Sequence, residues 1–114
     1  MENKIVGYSR VMSEIQPHNQ QVELLKKEGC IEILQDAYKG KDVSPLLKEM
    51  SLKQGDTLKI VRIDQISRQR LEAYKAIQEF VEKGIRIVSI LDFLDTENPY
   101  WRGLFMVNLK DFND

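Results

Sequence analysis

Two short stretches hold the residues best suited to chemistry. The first, "YSRVMSEIQ" at residues 8–16, offers Arg10 flanked by Ser9 and Ser13 where an apolar run gives way to a polar loop. The second, "RIDQISRQR" at residues 62–70, offers Asp64, Gln65, Ser67 and Arg68. Guanidinium groups present paired donors matched to the oxygens of phosphate or a similar oxyanion, and hydroxyls and amides can complete such a site. The same residues allow a structural reading, in which Arg10 and Asp64 form an ion pair at a sheet end and Ser67 caps the helix that follows it.

The remaining reactive types point elsewhere. His18 stands near a helix start beside Pro17 and Asn19, with no metal or nucleophile partner in its neighbourhood, and is expected to face solvent. Cys30 opens an apolar run and is expected to be a small buried hydrophobe. One Cys and one His give no metal-ligand spacing and no internal disulfide, so neither a metal nor a cofactor is expected. With 17 Lys and Arg against 18 Asp and Glu, the chain has no overall basic field to hold a phosphate backbone, so DNA binding by the chain alone is expected to be weak. No charged-then-apolar leader opens the sequence, and no apolar run approaches the roughly 18 residues that span a bilayer, so a cytoplasmic location is expected.

The elements that must position these residues follow from periodicity. At 114 residues, 42% hydrophobic and 31% charged, the sequence suits one globular domain over residues 1–114. Apolar runs at 4–11, 30–36, 56–64 and 85–93 predict four strands. Between them fall three helical stretches. In the first, 13–29, Pro17 suits the first turn and Gly29 the position after the end. The second, 44–54, opens on Ser44 and Pro45 and closes before Gly55. In the third, 67–84, Leu71, Tyr74, Ile77, Phe80 and Val81 recur at helical spacing before Gly84. Alternating strands and helices predict an α/β fold: three layers, a mostly parallel four- to five-stranded sheet and helices on both faces. Ligands in such sheets bind beyond the carboxyl ends of the strands where strand order reverses, between the first and third strands in the commonest order. The two chemical stretches leave those two strands.

The last stretch, "NPYWRGLFMVNLKDFND", is apolar on most sides if helical from about residue 100. Trp101, Leu104, Phe105, Val107 and Phe112 therefore lie either within this chain's own core or partly against another subunit.

The order of these pieces resembles the catalytic domain of the serine recombinases, the resolvase and invertase family of site-specific DNA recombinases. "GYSRV" looks like the opening strand of that family, "QQVELLKKEGC" its first helix and "DAYKG" its glycine loop. "GDTLKIVRID" with "ISR" resembles its third strand and turn, and "RGLFMVNLKDF" the start of its long last helix. The resemblance implies a flavodoxin-like strand order, and a helix beginning over about 100–112 that packs across a dimer. It also implies a DNA-phosphodiester site in which a serine attacks phosphorus to form a phosphoserine link while arginines neutralise the phosphate.

Position by position, that implied site is incomplete here. Tyr8, Arg10 and Val11 match, but Met12 holds the position of the nucleophile, and a thioether cannot attack phosphorus through oxygen. Lys39 stands where the family has serine before the glycine, and could still touch phosphate as a point charge. Ser44 takes the place of an arginine ahead of the second helix. Gln65 takes the place of another, keeping donors without charge. Arg10, Gln16, Gln21, Asp64 and Arg68 match the family site. The resemblance thus implies a degenerate active site, with Ser13, one position beyond Met12, the remaining candidate nucleophile. It implies further that the helix-turn-helix DNA-reading domain of the family is missing. Three functions follow as expectations. The domain self-associates as a homodimer or binds a full-length serine recombinase without cutting DNA; or it is an active strand-exchange domain using Ser13; or it binds phosphate or nucleotide through Arg10, Asp64 and Arg68.

Overall fold

The computed structural model describes residues 3–11 and 18–105, with backbone alone at positions 102, 104 and 105. Its strands are β1 (Ile5–Arg10), β2 (Glu32–Asp36), β3 (Thr57–Ile60), β4 (Arg86–Ser89) and β5 (Leu94–Asp95). Its helices are α1 (Asn19–Lys27), α2 (Pro45–Lys48), α3 (Arg70–Glu82) and α4 (Pro99–Phe105), with a 3₁₀ turn at Ile63–Gln65. The strands form one sheet of order β2-β1-β3-β4-β5. β1 runs parallel to β2 and β3, and β3 to β4, while β5 returns antiparallel to β4.

From β1 to β2 the chain steps one way across the sheet, and from β2 through β3 to β4 it steps the other way. Right-handed crossovers then put α1 on one face and α2 with α3 on the opposite face. Side-chain alternation along the strands agrees. Val6 and Tyr8 of β1 join Leu58 and Ile60 of β3 and Ile87 of β4 in a core completed by Leu47 of α2 and Ala73 and Ile77 of α3. Gly7 points to the other face, where a Cβ would come within 3.1 Å of both Leu25 of α1 and Cys30, so α1 lies close on β1 only because this position has no side chain. Cys30 is half-buried against that same helix-facing side.

Several predicted elements are shorter in the structure, and one is added. The second helix stops at Lys48 rather than near 54: Ser44 accepts the Leu46 N–H as its cap, but Met50 and Leu52 then pack against the core at a spacing of two, which a helix cannot provide. The third strand ends at Ile60, because Ile63–Gln65 turns into a 3₁₀ helix. The predicted 85–93 strand ends at Ser89, and the turn after it closes a hairpin onto β5 through Phe93, a non-glycine residue at φ 55° that is 88% exposed. The helix stops are as read from sequence: Gly29 and Gly84 follow α1 and α3 at φ 86° and 81°, a left-handed conformation that costs glycine little.

Candidate phosphate-facing site at the β1 and β3 strand ends

Order reversal between β1 and β3 places Arg10 beside the segment after β3, as the sequence implies. β3 stops opposite Tyr8, so the Arg10 N–H has no ladder partner on that side. Two amide side chains supply it: Gln65 Oε1 at 3.0 Å and Gln21 Oε1 at 3.2 Å accept from Arg10 N. Gln21 Nε2 also donates to the Arg10 carbonyl at 3.2 Å, so this one amide takes over both backbone positions at the strand end. Gln65, which stands where the resemblance places a phosphate arginine, is here a clamp between the 3₁₀ turn and β1.

The Arg10 side chain is 4% exposed and turned inward. Its Nε donates to the Tyr38 carbonyl at 3.2 Å, and its Nη1 to the carbonyls of Asp42 and Ile66, both at 3.1 Å. Nη2 donates to the Gly40 carbonyl. Four of the five N–H donors that a guanidinium carries thus go to main-chain oxygens. The Tyr38 ring covers it, with the guanidinium carbon 4.8 Å from the ring centroid. Tyr38 in turn donates to Asp42 Oδ1 at 2.7 Å, which holds the Asp42 carboxyl below its ordinary pKa and raises that of the phenol. The loop is pinned a second time where Ser67 Oγ and the Arg68 N–H both donate to the Lys41 carbonyl, at 2.7 and 2.9 Å.

Beneath this loop lies a buried network that sequence reasoning did not single out. The Tyr8 hydroxyl at 2.7 Å and the Ser44 hydroxyl at 2.5 Å both donate to Asp36 Oδ2. Burial first, and the Asp36 carboxylate second, push the Tyr8 hydroxyl well above its ordinary pKa. Ser44, the counterpart of the missing family arginine, thus both caps α2 and satisfies Asp36. The signal for Asp36 was its place at the end of an apolar strand adjacent to β1, where a carboxylate is buried only if donors meet it.

Other sequence expectations come out differently or fall outside the description. His18 is half-buried rather than turned to solvent: its Nδ1 lies 2.6 Å from Ser9 Oγ, which itself gives its proton to Gln21 Oε1 at 3.0 Å. Ser9 is fully buried. Asp64 is exposed and forms no ion pair with Arg10, whose partners are carbonyls. Ser67 is buried and accepts from Gln69 N, the residue that caps α3, rather than capping that helix directly. Lys39 and Arg68 are exposed on the rim. Arg68 faces a separate cleft with Arg62, Arg70 and Trp101. Met12, Ser13, Gln16, Val107 and Phe112 lie outside the described residues, as do the side chains of Leu104 and Phe105. Trp101 packs partly against the core of its own chain. Among the described residues no group of three or more His, Cys, Asp and Glu could hold a metal, and no helix is long and apolar enough to cross a membrane.

A mostly parallel sheet whose strand order reverses between β1 and β3, with Arg10, Gln21 and Gln65 meeting at those strand ends, defines a doubly wound α/β domain. The family model described as "Resolvase, N terminal domain" matches residues 5–113, and the chain belongs to that family. It is 29% identical over 114 residues to the probable DNA-invertase y4cG of Sinorhizobium fredii, covering 96% of this chain and 36% of that protein. With the serine recombinase gin of Escherichia phage Mu it shares 32% over 106 residues, covering 90% of this chain and 55% of that protein. The N-terminal catalytic domain of TP901-1 integrase superposes with a TM-score of 0.76 at 19% identity, over 97% of this chain and 94% of that one, a likeness of fold. This is a serine-recombinase domain of the resolvase and invertase type, and it spans between a third and three-fifths of the length of these curated relatives.

Proposed function

We propose that this domain acts by association, with a second copy or with a full-length serine recombinase, and does not itself cut DNA. The observation that carries the reading is Arg10. Catalysis of phosphoryl transfer needs positive charge aimed at the developing oxyanion, and this retained arginine points into its own loop, with four donors on main-chain carbonyls. The neighbouring substitutions support the same reading. Gln65 and Ser44 stand where the family carries arginine, and each has a structural task, Gln65 on Arg10 N and Ser44 on Asp36. At the position of the nucleophile the sequence has Met12. The helix beginning at Pro99 supplies the association surface.

The test is incubation of the intact protein with supercoiled DNA carrying sites for a related recombinase, followed by denaturing electrophoresis. No covalent protein–DNA adduct is expected. An adduct that is lost on Ser13→Ala would instead establish an active strand-exchange domain.

A further inference from the structure

His18 is the sole histidine of the chain, and a buried relay fixes which of its two ring nitrogens carries the proton. The relay starts at the end of β1. Gln21 Oε1 accepts from Arg10 N, and Gln21 Nε2 donates to the Arg10 carbonyl, both at 3.2 Å. Exchanging the ends of this amide would oppose donor to donor and acceptor to acceptor, so Oε1 is the end that reaches Ser9. An amide oxygen can only accept, which places the Ser9 hydroxyl proton on the 3.0 Å line to Gln21. Ser9 Oγ, fully buried and 2.6 Å from His18 Nδ1, then has only a lone pair to offer the ring. The proton of that short bond therefore belongs to the imidazole. Nδ1 is the N–H, and in the neutral ring Nε2 holds the lone pair. The main chain at this residue is fixed as well, since Val22 N donates to the His18 carbonyl at 2.9 Å. His18 is half-buried, and among the described residues its Nε2 has no hydrogen-bond partner.

We infer that His18 is a modification site, a nucleophilic nitrogen that accepts a phosphoryl group from a small acyl phosphate. An imidazole suits this step when its attacking nitrogen is unprotonated and its other nitrogen donates a hydrogen bond, because the ring gains positive charge as the new bond forms. The relay supplies both conditions. In the step, the Nε2 lone pair bonds phosphorus, the bond from phosphorus to the acyl oxygen breaks, and its electron pair leaves with the carboxylate. Nδ1 keeps its proton throughout, so no separate base is required. The imidazolium product then makes a charge-assisted hydrogen bond to Ser9 Oγ. α1 carries no acidic residue in its first turn, so the added phosphoryl charge meets no carboxylate there. The site uses neither the position of Met12 nor a guanidinium, and it does not depend on whether the domain associates or cuts DNA.

A single histidine makes the readouts unambiguous. The intact protein, labelled with ¹⁵N, is first studied by long-range ¹⁵N–¹H correlation at mildly alkaline pH, where an imidazole is neutral. The Nδ1–H tautomer is expected, and this measurement tests the relay without any variant. The protein is then incubated with acetyl phosphate and followed by ³¹P NMR and intact mass. One acid-labile phosphoryl group per chain is expected, absent from His18→Gln. Ser9→Ala, which lets the ring take either tautomer, should slow its formation by about tenfold, the loss of one charge-assisted hydrogen bond. Circular dichroism confirms that each variant is folded. The inference is overturned if Nε2 carries the proton in the neutral ring, if no acid-labile group forms, if it forms equally in His18→Gln, or if a folded Ser9→Ala reacts as fast as the parent.

Discussion

Arg10 is a buried cation whose counter-charges are the partial negative ends of carbonyls rather than a carboxylate. Such an arrangement stabilises only if the oxygens stay in place, because each one abandoned is left desolvated. Replacing it with glutamine, Arg10→Gln, should therefore cost about 3 kcal/mol, several hydrogen bonds at once. The check is a lower urea midpoint at unchanged m-value; a variant as stable as the parent would show that the inward geometry carries little energy. The sequence placed Arg10 and Gln65 in one crevice and the resemblance added Gln21; both amides meet the Arg10 N–H, whereas Asp64, expected in the same crevice, is exposed and forms no ion pair with Arg10. The sequence did not disclose that Arg10 turns to the main chain, because donor orientation depends on where β3 stops and on the path of residues 38–42. His18 shows the same limit at one residue: its neighbours in sequence offer no partner, whereas Ser9, nine positions back, meets it only once α1 lies across β1.

At the scale of elements, helix faces and strand runs were legible because hydrophobic periodicity is local: α1, α3 and β1 stand where spacing put them. Where an element ends is decided by partners distant in sequence. Asp56, in the turn before β3, is an example. Its Oδ1 accepts from Lys4 N at 3.0 Å and Asn3 Nδ2 at 3.2 Å, and its Oδ2 from Lys53 N at 2.8 Å, joining the entry of β1 to that of β3. These main-chain N–H bonds, from Lys53 and then Lys4, hold the Asp56 carboxyl below its ordinary pKa of 3.8. A carboxyl with a lowered folded pKa stabilises the fold above its unfolded value, and that contribution is lost as pH falls through the folded value. Asp56→Asn should consequently lower the melting temperature at pH 7, where an amide N–H₂ would meet the Lys53 N–H donor to donor. Below the usual carboxylate range the gap between variant and parent should narrow. Thermal melts at pH 7 and at pH 3 measure both; an equal gap at the two values would remove Asp56 from the acid response.

For the whole molecule, the proposal of association makes a prediction that does not depend on His18. Sedimentation should show a dimer at micromolar concentration, and Phe105→Asp, in the helix that begins at Pro99, should shift it to monomer without unfolding the domain. A monomer at high concentration in the parent would count against that surface. The carbonyl cage of Arg10 also bears on how the chain reaches this form. The oxygens that receive its guanidinium lie 28, 30, 32 and 56 residues further along the chain. None can be reached through a local turn, and the most distant requires β3 and its following turn to have docked. Until then the charge must remain in water, since closing it off earlier would strand it without acceptors. The crevice between β1 and β3 is thus expected to be sealed late in folding, after the sheet around it has assembled.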